Sequence, residues 1–355
     1  MIEDRLPRWA GSEPGAEEVS RPDLLPTTGV GAATEPFSVA GTPGLAAPPA
    51  PAEPGGEAPR NPAPPPDIEY FARVVPRARP AADPRALEIN FPCPALIMCV
   101  ANQKGGVGKS TTTVNLGACL AERGARVLIV DLDPQANAST GLGLDHRALE
   151  RSIYEVVVGG LPISEVIVET PVANLFVAPA KVELAGAEIE LVSAFSRELK
   201  VRRALEAVRE QFNYVLVDCP PSLGLLTVNA LAAADQVLIP IQCEYYALEG
   251  LGQLLQNIEL VKAHLNPGLR VGGIVLTMFD ARTRLAEQVV GEVRTYFPNE
   301  VFSTIVPRSV RLSEAPGFGQ PITTYDSGSR GAVAYRLLAE EMIARTARSS
   351  RPATE

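Results

Sequence analysis

Two lysines, Lys104 and Lys109, bracket the run Gly105, Gly106, Val107 and Gly108 in the stretch VANQKGGVGKSTTTVNLG, and the hydroxyls of Ser110 and Thr111 follow at once. Glycines without a Cβ let the backbone wrap an anion with successive N–H groups pointing inward, and a helix starting just beyond adds partial positive charge. In such a turn Lys109 can reach the β- and γ-phosphates of a nucleotide, Ser110 can ligate Mg2+, and Thr111 can hydrogen-bond a phosphate oxygen. The common phosphate-loop spacing, G-x-x-x-x-G-K-[ST], asks for glycine at position 103. Gln103 stands there instead, with Lys104 beside it, so the loop has lost a glycine and gained a charge.

Three carboxylates belong to the same chemistry. Asp131 and Asp133 close the run VLIVDLD, and Asp218 closes YVLVD. Each follows an apolar run, so each falls at a strand's carboxyl end, where α/β sheets bind ligands. One aspartate at a strand end is often only a helix cap; three in this order, beside a glycine–lysine–serine turn, point to an Mg2+-dependent phosphate site.

The elements that must position these groups are legible from residue 95 onward. Short β-rich runs at 95–101, 126–133, 213–220, 236–242, 270–279 and 301–307 alternate with helical patterns such as STTTVNLGACLAERG, ALEGLGQLLQNIELVKAHL and RLAEQVVGEVRTYF. Strands that read as near-continuous apolar runs are buried on both faces, which means a parallel sheet covered by helices. The expected fold is α/β, a doubly wound, mostly parallel sheet with helices on both faces, closed by a final helix GAVAYRLLAEEMIARTA.

The remainder of the 355-residue chain reads differently. Of its 33 prolines, 20 precede Ala95, so residues 1–90 are expected to form a Pro/Ala/Gly-rich disordered leader, with 91–348 the folded domain and 349–355 a flexible tail. Within the leader, Leu6 with Trp9 and the run IEYFARVV at 68–75 have the composition of short docking motifs. The formal net charge is −9, so any nucleic-acid binding must come from a local patch. Five scattered cysteines without a C-x-x-C pair favour a reducing cytoplasm, and no secretory h-region or membrane-spanning run is visible. His146 and His264 form no metal or catalytic constellation.

The run KGGVGKST resembles the deviant Walker A motif of the ParA/MinD ATPases, and the resemblance extends over about residues 95–347. It implies that residues 104–111, Val107 included, bind ATP. It also implies that Lys104 is a signature lysine reaching across an ATP-sandwich homodimer to the phosphates held by the twin. ATP is strongly anionic, and a second cation supplied in trans would make the nucleotide the glue between subunits. DLDPQ resembles the family's first switch motif, in which Asp133 matches the aspartate that orients the attacking water, while Asp131 is structural or a more remote Mg2+ partner. VDCPPSLG resembles Walker B and the second switch, which implies that Asp218 holds Mg2+ through water. The resemblance places adenine contacts around Pro307, Arg308 and Ser309 and near Met278.

The stretch from TMFDARTR to SVRLSEAPGFGQPI looks like the ParA/Soj branch, in which two arginines bind DNA without sequence preference; they match Arg282 and Arg311. A cytoplasmic, nucleoid-associated ATPase stimulated by a DNA-bound ParB-type partner in chromosome or plasmid segregation is therefore expected. The tail after Met342 and Ile343 has no bulky apolar face for a membrane. Two rivals are a MinD-like ATPase acting on a membrane or a protein cluster, and a metabolic P-loop ligase or reductase. The reductase would want paired cysteines and the ligase an added substrate domain.

Overall fold

The computed structural model describes residues 91–349 apart from 146–147 and 245–246. The leader motifs, His146 and residues 350–355 lie outside the described residues. The first half of the order is β1 (Leu96–Val100), α1 (Lys109–Glu122), β2 (Val127–Asp131), α2 (Asn137–Gly141), α3 (Ile153–Val157), β3 (Val168–Glu169), β4 (Leu175–Ala178), α4 (Leu184–Glu190) and α5 (Lys200–Glu206). There follow β5 (Tyr214–Asp218), α6 (Leu225–Ala233), β6 (Gln236–Gln242), α7 (Ala247–His264), β7 (Arg270–Phe279), α8 (Arg284–Tyr296) and β8 (Val301–Pro307). Three helices, α9 (Val310–Glu314), α10 (Ile322–Tyr325) and α11 (Arg330–Ser349), end the fold.

The strands form one eight-stranded sheet in the order β3-β4-β2-β5-β1-β6-β7-β8. Every pairing is parallel except β3 with β4. This is the expected doubly wound architecture. β1, β2 and β5 are buried along their whole length, which is why their sequences are apolar without alternation. The six anticipated strands are present, three of them a residue or more shorter than the apolar run, because ladder pairing ends where each loop leaves the sheet. β3 and β4 were not anticipated: their apolar residues come in short pieces broken by Pro171 and Asn174.

The topology explains where a ligand can sit. From β1 the chain builds outward on one side through β2 and β4. It returns through β5 and then crosses β1 to build β6, β7 and β8 on the other side. This reversal of winding at β1 opens a crevice at the strands' carboxyl ends. Helix α1, which starts in that crevice, is buried from Thr112 to Ala121. It is clamped from outside by α11, where Tyr335, Leu338 and Met342 join the core and the Tyr335 hydroxyl meets Thr112 Oγ1 at 3.2 Å.

Candidate functional site

β1 delivers the chain into the crevice at Val100, and α1 begins at Lys109. The loop between is a nest of backbone amides. Gly106 (φ 74°) and Gly108 (φ 90°) take left-handed backbone that a side chain would strain. The loop is held at both ends. Asn102 Nδ2 donates to the Pro240 carbonyl at 2.8 Å, and its Oδ1 accepts from the Lys104 amide at 2.9 Å. On the far side Thr277 Oγ1, at the end of β7, donates to the Val107 carbonyl at 2.8 Å. Asn115 on α1 accepts from the Ile322 amide at 2.6 Å and so fixes α10 behind the loop.

The two lysines part company here. Lys109 is buried, and its Nζ folds back to the Lys104 carbonyl at 3.3 Å. Burial lowers its pKa, while Asp218, Cys219 and Asp133 pull the other way. Lys104 is half-exposed and pairs with the exposed Glu244 at 3.0 Å. A cavity of about 380 Å3 lies over the loop, lined by Gly105, Gly106, Gly108, Lys109, Ser110 and Thr111 among others. Lys104 does not line it.

The carboxylates arrive from neighbouring strands. Asp131 and Asp218 are register partners across β2 and β5. Asp131 is fully enclosed and caps the next turn, accepting from Ser139 N at 2.8 Å and Ser139 Oγ at 2.7 Å. Asp133 lines the cavity, its Oδ1 fixed by the Gln135 amide at 3.0 Å. Asp218 Oδ1 accepts from Thr113 Oγ1 at 3.0 Å, while Oδ2 is buried without a hydrogen-bond partner. Burial and the neighbouring Asp131 push the Asp218 carboxyl up, and the hydroxyls of Ser110 and Thr113 oppose that. A buried carboxylate oxygen lacking a donor, beside a serine hydroxyl and below an amide nest, fits a divalent cation with its bound water and a polyphosphate.

The remaining walls were only partly foreseen. Pro307 and Ser309 are not among the lining residues, whereas Met278, Ala315, Pro316 and Gln320 are. Met278 has φ 52° where the β7–β8 pairing shifts register, a bulge that turns its side chain toward the cavity. Asn102, Asn115 and Thr277, which hold the loop, gave no sequence signal because each bonds a backbone group far along the chain. Cys99 and Cys219, unrelated by any motif, meet at 3.3 Å between β1 and the segment after β5.

Arg282 and Arg311 stand on the same sheet edge, after β7 and β8, in segments tied by the Arg308 amide donating to the Phe279 carbonyl at 2.9 Å. Each is exposed, and each meets carboxylates. Arg282 makes a two-pronged pair with Asp280 at 2.9 and 2.6 Å, which holds the Asp280 carboxyl down to about 2. Arg311 meets Glu314 at 3.0 Å and Asp326 at 3.5 Å.

A parallel sheet whose central strand feeds a glycine–lysine–serine loop, with carboxylates ending the neighbouring β5 and, beyond it, β2, defines a P-loop nucleotide-binding protein. A family model described as an AAA domain matches residues 95–271. The chain is 56% identical over 248 residues to the sporulation initiation inhibitor protein Soj of Bacillus subtilis, covering 70% of this chain and 98% of that protein. It is 54% identical over 249 residues to the chromosome partitioning protein ParA of Myxococcus xanthus, covering 70% of this chain and 88% of that protein. Among solved structures it resembles the Mycobacterium smegmatis cobyrinic acid a,c-diamide synthase with bound ADP and magnesium (TM-score 0.64, 38% identity, 72% of this chain and 97% of that one). The chain belongs to the ParA/Soj family of P-loop ATPases.

Proposed function

We propose that this protein is a Mg-ATP-dependent dimerising switch that holds DNA without sequence preference. In this reading it acts in the cytoplasm, on the nucleoid, with a ParB-type partner that stimulates its hydrolysis during chromosome or plasmid segregation. Higher identity to partition proteins (50–56%) than to the synthase-named structure (38%) favours this over a metabolic ligase. Among the described residues no helix is long and apolar enough to cross a membrane.

The observation that carries the reading is the separation of the two lysines. Lys109 sits under the cavity, while Lys104 stands outside it, pairing with Glu244 on the exposed edge. An exposed ion pair is worth roughly 0–1 kcal/mol, so Glu244 gives up Lys104 readily to a triphosphate presented by a twin. Bound Mg-ATP supplies the phosphoryl group and the charge that draws two subunits together. The chain's own residues do the rest. The amides of residues 105–110 and the Lys109 ammonium bind the phosphates, and Ser110 with Asp218 orients the metal and its water. Asp133, rigidly held, orients the water that attacks. Among the described residues lining the cavity there is no histidine and no second carboxylate beside it, so unstimulated turnover is slow.

The test is light scattering of the Asp133→Ala variant at saturating Mg-ATP. The expected result is a stable dimer that also retains duplex DNA. A chain that remains a single subunit, or turns over at the parent's rate, overturns the reading.

A further inference from the structure

Helix α4 is apolar on two sides. Leu184, Ala187 and, one turn on, Leu191 face inward and are buried. On the opposite side Val182, Ile189, Val192 and Phe195 are 68%, 78%, 63% and 94% exposed. Val182, Ile189 and Val192 recur at two turns and one turn, so they form a stripe along α4 and the turn after it, and Phe195 follows just past Ala194, where the backbone becomes extended. These four are nearly half of the large hydrophobic side chains exposed among the described residues, gathered in one short segment. An exposed apolar stripe opposite a helix's buried face is surface without a partner in the single chain.

The stripe lies where a second subunit must come. α4 leaves the sheet at the carboxyl end of β4, the edge that carries residues 104–111, Asp133 and Asp218. Its approach is tied to the first carboxylate loop, since the Ala180 amide donates to Ser139 Oγ at 3.1 Å and that hydroxyl donates to Asp131. Its other flank meets the second loop: the Glu188 carboxylate lies against Gly224, at the start of α6, where a Cβ would displace it. α4 is thus wedged between the two loops that read the nucleotide.

We propose that this stripe is part of the interface with a second copy of the chain, an inference that rests on the dimer reading above. The area argues for it. Four side chains exposed to this degree present roughly 500 Å2 of apolar surface, as large as the biggest patch of a typical monomer. A standard stable interface needs roughly 800 Å2 from each partner, so the stripe supplies more than half of one subunit's share. Charge selects the occupant: Glu183, Glu188 and Glu190 on the same segment repel DNA phosphate and anionic lipid alike, and leave a protein surface as the fitting cover. Through Glu188 and Gly224 the packing of the stripe is coupled to the loop after Asp218, so burial by a twin and the state of the nucleotide site bear on each other.

The experiment compares Asp133→Ala with the same chain also carrying Ile189→Ser and Phe195→Ser, using light scattering at saturating Mg-ATP. Binding of fluorescent ADP to the single chain serves as a check that the fold and site survive. The expected result is self-association at least tenfold weaker, with ADP affinity within twofold of the parent. As a second measurement independent of those substitutions, amide exchange in residues 182–195 should slow when Mg-ATP is added to the parent. If the parent dimerises, and the variant does so equally well or the segment gains no protection, the stripe is not an interface between copies while the dimer reading stands. If the parent itself stays single, both fall.

Discussion

Lys109 and Lys104 show how much one residue's place matters at equal charge. Lys109 is desolvated beside Asp218 and Asp133 and faces the cavity; Lys104 is solvated, outside it, and paired with Glu244. Hydrogen bonds to charged groups contribute about 1.5–3 kcal/mol. Lys109→Ala should therefore weaken ADP binding to the single chain by about 10- to 100-fold. Lys104→Ala should leave that affinity within a few-fold while abolishing ATP-driven dimerisation. Equilibrium binding of fluorescent ADP beside light scattering reads both, and equal losses of ADP affinity would erase the distinction. Lys109, Ser110, Asp133 and Asp218 were legible in the sequence because local spacing carries them: a loop after a strand, a carboxylate at a strand end. Glu244 was not, since its partner lies 140 residues earlier in the chain and only the side-by-side placement of β1 and β6 brings the two together.

At the level of elements, the phosphate loop is rigid because other strands hold it. Thr277 at the end of β7 donates to the Val107 carbonyl from a fully enclosed position. Thr277→Val keeps the shape and removes the donor, leaving a buried carbonyl unpaired, so it should cost about 1–3 kcal/mol of stability. The loop it frees should also bind ADP more weakly. Chemical denaturation and ADP titration of the variant measure the two effects, and a variant with unchanged stability would show that the loop holds itself. The central strands were readable because burial on both faces writes itself as an unbroken apolar run. β3 and β4 lie at the sheet's edge, where short length and a nearby proline hide the signal. The bulge that aims Met278 is invisible in sequence for another reason: it arises from a register shift between β7 and β8, a property of two strands rather than of either.

For the whole molecule the question is how a chain of net charge −9 holds a polyanion. The segment from Asp280 to Glu355 carries ten arginines against nine carboxylates, so the surplus of negative charge lies elsewhere. Arg282 and Arg311 stand on the edge shared by β7 and β8, exposed, with pairs to Asp280, Glu314 and Asp326 that are cheap to exchange for phosphate. Two such arginines per subunit make about four phosphate contacts in a dimer, and each contact neutralised releases about 0.9 of a counterion. Arg282→Ala with Arg311→Ala should therefore flatten the dependence of log affinity for duplex DNA on log salt by about 3–4. Binding should be lost at physiological salt while ATP-driven dimerisation stays intact, because neither residue lines the nucleotide cavity. The same substitutions in the monomer should change little, since one subunit offers too few contacts to hold the duplex. A salt slope that stays at the parent's value would move the DNA-holding face off this edge, and the proline-rich residues before Phe91 would then be the next segment to delete.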